Sequence, residues 1–249
     1  MAYPQTLGDW LGSAPYRLGL SSGFFGFYAH CGVLLALEEA GLLPRSAAGS
    51  SAGALVGGAW AAGVEPADLR RELVGLQRAD FWDPGLGAGL LRGELFRDRL
   101  HAMLPAATFE QCRADLRVSV FDVLTRRTRT LSSGPLAPAI HASCAVPLMF
   151  HPVWIRGRPL LDGGVTDRPG VAGVPAGERI LLHHLASKSP WRLHQPRPPQ
   201  RSNLVTLEIA DLPRVNPFRL ERGPLALEHA RTRTREALHR PLQGALISV

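Results

Sequence analysis

Residues 45–63, Arg45-SAAGSSAGALVGGAWAA-Gly63, decide the fold. Arg45–Ser50 is a short strand candidate. The small-residue run that follows has the composition of a helix lying very close to a sheet. At the junction, Gly49-Ser50-Ser51-Ala52-Gly53 fits G-x-S-x-G. In such an elbow the serine sits on a strained strand-to-helix turn, and side chains at the flanking glycines would strike neighbouring backbone. The hydroxyl then projects over the end of the sheet, beside the positive N-terminus of the next helix. The plainer alternative is a small-residue turn that only lets strand and helix pack tightly.

Working outward, Tyr16–Ser22 reads as a strand entering a Ser/Gly turn, and residues 31–41 as a helix with Gly41 at its C-terminal end. Residues 66–76 have helical apolar spacing, with Pro66 at the start. Leu116–Thr125 and Thr128–Leu131 form a hairpin, Leu136–Cys144 a helix, and residues 153–155 and 159–161 two strands around Arg156-Gly157-Arg158. Residues 180–185 and 204–209 supply two late strands, and Leu225–Leu238 a charged helix expected at the periphery. Phe81–Phe96 has four glycines and a proline among large apolar groups, the pattern of a mobile apolar flap. Residues 191–201 are a proline- and arginine-rich loop. Strands alternating with helices give an α/β fold with a mainly parallel sheet, and without repeats or linkers residues 1–249 read as one domain.

With 45% hydrophobic and 20% charged residues the chain can bury a core, so a disordered polypeptide is excluded. No apolar run reaches the length of a membrane-spanning helix. The first twenty residues lack the basic and apolar regions of a secretory signal, which points to the cytoplasm. Cys31, Cys112 and Cys144 are widely spaced, so neither a disulfide framework nor a metal site is expected, and no cofactor is implied. The formal charge is +7, and Lys188 is the single lysine among 28 basic residues. Genome composition and attraction to phosphate-bearing surfaces both account for that bias. Nucleic acid is not an expected partner, because basic patches with interleaved aromatics are absent.

A serine hydroxyl needs a base to become a nucleophile. Asp162-Gly163-Gly164 follows a short strand, so its carboxylate can stand at a sheet end; alone, such a motif is an ordinary turn. His183-His184, on a late strand, offers a Ser-Asp-His order instead. The loop Ser22-Gly23-Phe24-Phe25-Gly26 lies between the first strand and helix, where successive backbone N–H groups can converge on an oxyanion.

Taken together, these segments resemble the patatin-like phospholipase family, with its glycine-rich oxyanion loop, G-x-S-x-G serine and D-G-G/A aspartate in that order. The likeness covers residues 16–63 and 139–171 well and the middle loosely. It implies a three-layer α/β/α sandwich and a dyad of Ser51 and Asp162 with no histidine. Backbone N–H groups of Ser22, Gly23 and Phe24 would form the oxyanion hole, supported by motif glycines Gly26, Gly49, Gly53, Gly163 and Gly164. The loop departs from the family: Ser21 and Ser22 replace glycines, and Phe25 stands where a basic residue is usual. The implied substrate is a lipid acyl ester (phospholipid, lysophospholipid or acylglycerol), with peripheral contact at a membrane. A short soluble ester or thioester, or a silent lipid-binding role, are the alternatives.

Overall fold

The computed structural model describes residues 5–186 and 199–249, so residues 191–198 of the Pro/Arg-rich loop lie outside the described residues. The strands are β1 (Arg17–Leu20), β2 (Ser46–Ser50), β3 (Asp115–Asp122), β4 (Arg127–Leu131), β5 (Val153–Ile155), β6 (Arg158–Asp162), β7 (Ile180–His184), β8 (Leu204–Glu208) and β9 (Leu246–Ser248). They form one sheet in the order β5-β6-β3-β2-β1-β7-β8-β9, with β4 also on β3. From β3 through β9 along that order, neighbours are parallel; β4 and β6 run antiparallel to β3, and β5 antiparallel to β6. β1 and β7 are buried at every residue, as parallel strands covered on both faces are.

The helices are α1 (Leu7–Ser13), α2 (Phe27–Glu39), α3 (Ala52–Ala62), α4 (Pro66–Val74), α5 (Glu94–Met103), α6 (Leu136–Cys144) and α7 (Gly223–Leu238). Side chains from all seven join one large core cluster with Leu18, Leu20, Val118 and Val120 of the sheet. On the other face a smaller cluster joins Ala48, Ile180, Leu182 and Leu204 to Val171 and Val174. The α/β architecture is as expected. Among the described residues, the second outer layer is this irregular segment around Val171–Val174 and not a helix.

Two expectations are corrected. α7 is not peripheral: it buries Ala226, Leu227, Ala230, Thr234, Ala237 and Leu238. It lies so close to α2 that a Cβ on Gly32 would sit 2.2 Å from the Leu227 carbonyl oxygen. α2 is therefore enclosed, with Tyr28 through Leu37 all buried. Nor is Phe81–Phe96 one flap. Phe81 and Leu91 are buried, and Leu91 exchanges backbone hydrogen bonds with Met149 (2.8 Å) and His151 (3.1 Å). Asp83 caps α5 by accepting from the N–H groups of Gly93, Glu94 and Leu95, so the segment's end is helical. Between these anchors Leu86 and Leu90 are exposed.

Candidate active site

Ser51 stands between β2 and α3 with φ 54° and ψ −120°, a conformation that costs a non-glycine residue about 1–3 kcal/mol. Its neighbours hold it there. Its N–H donates to the Ser143 hydroxyl (2.9 Å), which donates in turn to the Ser119 carbonyl (2.7 Å). Its carbonyl accepts from the Cys144 thiol (3.2 Å) and the Leu55 N–H (3.0 Å). The flanking glycines are required by contact. A Cβ on Gly53 would lie 2.0 Å from the Leu20 carbonyl oxygen, and one on Gly49 2.5 Å from the Gly53 carbonyl carbon.

Strand register brings Asp162 to the same junction. β3 pairs with β2 as far as Ser119–Ser50, then with β6 from Val120–Asp162 onward. β4 occupies the opposite edge over Val118–Asp122, so β2 and β6 meet end to end along one edge of β3. Ser50 and Gly163 abut: a Cβ on Gly163 would fall 2.7 Å from the Ser50 hydroxyl oxygen. The Asp162 carboxylate accepts from the Gly164 N–H (2.7 Å), while its own N–H donates to Ala145 (2.8 Å). Cys144, already touching Ser51, has its thiol pKa raised well above normal, first by burial and then by the Asp162 charge. Ser51 and Asp162 thus share one neighbourhood.

The loop before α2 differs from expectation at Ser22. Its N–H donates to the Arg168 carbonyl (2.7 Å) and is occupied. The N–H groups of Gly23 and Phe24 have no acceptor among the described residues, and Gly26 closes the turn by donating to Gly23 (2.9 Å). Phe25 adopts φ 54°, and its ring packs against Phe24, Phe27 and Phe81 at centroid distances of 5.0, 5.3 and 5.8 Å. These rings form an aromatic wall.

That wall belongs to a cavity of about 120 Å³ with Ser51 at its border. Phe25, Phe27, Leu55, Leu73, Phe81, Phe96, Leu100, Met103 and Phe150 line it, and Arg99 borders it with Glu72, its ion-pair partner at 3.1 Å. Among the described residues no group of three or more His, Cys, Asp or Glu could hold a metal ion.

His183 has a partner of its own. His183 lies 2.8 Å from His30, Nδ1 to Nδ1, and His30 Nε2 lies 2.7 Å from the Ser21 carbonyl oxygen. A carbonyl only accepts, so His30 Nε2 carries a proton; with His30 neutral, His183 Nδ1 must donate to His30 Nδ1. The pair props the loop between β1 and α2 from behind. His184 is buried, and its Nδ1 has no partner among the described residues.

This arrangement sets a pH dependence. Burial, the main cause, depresses His30 to about 4 and His183 well below 6.5; it also brings His141 and His184 to about 4. Folded, these groups stay neutral, while the unfolded chain takes up protons near 6.5. Their neutrality therefore costs nothing above that value, and stability falls as pH drops from 6.5 toward 4. Each unit of depression withdraws about 1.4 kcal/mol per group. Thermal melts should show a midpoint level above neutrality and declining between pH 6.5 and 5, before most carboxylates titrate. A midpoint unchanged over that interval would contradict the buried neutral histidines.

Residues 18–174 match the sequence profile of the patatin-like phospholipases, a span that includes Ser51, Asp162 and the loop between β1 and α2. The chain belongs to the patatin-like phospholipase family. Among curated relatives, NTE family proteins of Mycobacterium tuberculosis and Mycobacterium bovis, both described as uncharacterised, are 36% identical over 179 residues. That alignment takes in 69% of this chain and 50% of theirs, so the chain spans about half the length of the curated relatives it matches. Among solved structures, VipD from Legionella pneumophila superposes with a TM-score of 0.65 over 90% of this chain and 66% of that one. At 14% identity this likeness shows the fold alone. The patatin-like match ends before β7, yet β7 carries His183 and α7 encloses α2, so the remainder completes the same core.

Sequence reasoning missed Ser143, His30 and Asp167. Asp167 is buried and accepts from the Ser119 hydroxyl (2.6 Å) and the N–H groups of Gly170 and Ala172, which fixes the turn after Gly164. The available signal was polar residues inside apolar stretches: a buried polar group must find a partner.

Proposed function

We propose that this chain hydrolyses lipid acyl esters through Ser51 and Asp162. Asp162 takes the proton from Ser51 Oγ as the oxygen attacks the ester carbonyl carbon. The carbonyl oxygen becomes an oxyanion and accepts hydrogen bonds from the Gly23 and Phe24 N–H groups. Collapse breaks the ester bond; the alcohol leaves with the proton from Asp162, and water then cleaves acyl-Ser51 by the same route. The acyl chain occupies the aromatic cavity, gaining about 0.8 kcal/mol per buried methylene.

The observation that carries this reading is the strained serine at the border of an apolar cavity. A catalytically silent binding protein would have no use for a hydroxyl held at such a backbone angle. Treatment with a fluorophosphonate should attach one adduct, on Ser51, and Ser51→Ala should prevent both labelling and hydrolysis. Ser50→Ala should retain the adduct, because Ser50 is fully buried. An adduct on another serine, or none, overturns the reading. Hydrolysis should also rise with acyl length; a preference for acetyl esters would favour a short soluble substrate.

A further inference from the structure

From Val123 to Leu161 the chain contains five arginines and neither Asp nor Glu. The fold gathers all five at one place. β3 runs three residues past Ser119, the last to pair with β2, so Asp122 stands about 10 Å beyond that end of the sheet. The β3–β4 turn with Arg126 follows directly. β6 is antiparallel, with Leu160 opposite Asp122, so the Arg156-Gly157 turn and Arg158 project from the same end. This is the end at which β2 delivers Ser51, the edge where open α/β sheets hold their ligands.

The carboxylate at the centre is already committed. Asp122 is 1% exposed and accepts from the N–H groups of Leu124 (3.0 Å) and Thr125 (3.1 Å). Arg158 lies 2.9 Å and Arg129 3.9 Å from it. Arg126, Arg127 and Arg156 are exposed and have no carboxylate within salt-bridge distance among the described residues. Glu110, the other nearby acid, is lowered chiefly by the Gly134 N–H that it accepts, with Arg156 a minor influence. The rim therefore carries surplus positive charge on guanidinium groups, which bind phosphate oxygens in pairs.

Apolar tips accompany the charge. Leu124, in the β3–β4 turn, is 65% exposed and Trp154, on β5, is 69% exposed. Leu148, just before β5, is also exposed; its carbonyl accepts the Leu90 N–H, which ties in the exposed loop of Leu86. We propose that the arginine rim of the β3–β4 and β5–β6 turns, with Leu124 and Trp154, seats this chain on an anionic phospholipid surface. Arginines beside an interfacial tryptophan and a leucine tip suit a lipid headgroup layer, where both kinds of group are satisfied at once. A nucleic-acid backbone would satisfy the arginines and leave Leu124 in water.

The proposal goes beyond the hydrolytic reading, and its test uses Ser51→Ala protein, so that binding is read whether or not the chain hydrolyses esters. Sedimentation with phosphatidylcholine vesicles, with and without phosphatidylglycerol, should show preference for the anionic ones and release by salt. Replacing Arg126, Arg127 and Arg156 together by Gln should weaken binding to anionic vesicles by about a hundredfold, at about fivefold per arginine near such a surface. Trp154→Ala should weaken binding to both vesicle types. Equal binding by the triple variant, salt-insensitive binding by the parent, or tighter binding to a nucleic-acid duplex than to the anionic vesicles would overturn the proposal.

Discussion

Asp162→Asn is expected to lower kcat by about four decades on any ester the chain hydrolyses, the scale seen when the carboxylate of a serine catalytic system is neutralised. The amide is nearly isosteric. Its oxygen can still accept from the Gly164 N–H, so the turn at Gly163 should survive and the melting temperature should change little. What the proposed mechanism loses is the base that receives the Ser51 proton. Removal of His183 and His184 together should act differently. His183 is bonded to His30 behind the loop between β1 and α2, so its loss should lower stability and blunt kcat by a smaller factor. Steady-state rates on a soluble ester, measured well below each variant's melting point, compare the two. If the double histidine variant is as inactive as Asp162→Asn, the base is a histidine and the dyad is wrong.

The elements legible in the sequence were those whose signal is local. β1, β7 and β8 are short and largely apolar, and β2 is a run of small residues leading into the serine elbow. The helix end at Gly41 is marked by its chemistry: it takes φ +67°, and Leu42 N–H reaches back to Leu37 (2.8 Å). The G-x-S-x-G and D-G-G spacings were legible because a motif is local in sequence, although the contacts that demand its glycines are not: Gly53 meets Leu20, and Gly163 meets Ser119 and Ser50. What failed was long-range. α7 looked peripheral because its apolar face is mostly alanine, too small to stand out; its value lies in close approach to Gly32 on α2. α5 was invisible because it is polar and takes its cap from Asp83, eleven residues before Glu94. Ser143 reaches Ser51 across 92 residues, and no local pattern announces such a bond. The Ser22 N–H could be assigned to an oxyanion only while the position of Arg168 was unknown.

Gly163→Ala tests the feature on which the site depends, the end-to-end meeting of β2 and β6. A Cβ at Gly163 would lie 2.1 Å from the Ser119 carbonyl oxygen, 2.6 Å from its carbon and 2.7 Å from the Ser50 hydroxyl oxygen. Two of these atoms are β3 backbone, so no rotamer change can relieve the contact. The end of β6 must move away from β3, and Asp162 moves with it relative to Ser51. Overpacking of this kind costs about 1–3 kcal/mol, and a displacement near 1 Å at a reacting group can cost about a hundredfold in rate. Both losses are expected together: a lower melting temperature, and a kcat reduced in the protein that remains folded. Gly177→Ala is the matched control, since a Cβ there meets nothing within 4 Å; it should leave stability and rate almost unchanged. If Gly163→Ala melts and turns over like Gly177→Ala, the two strand ends are not in contact, and the register that places Asp162 beside Ser51 is wrong.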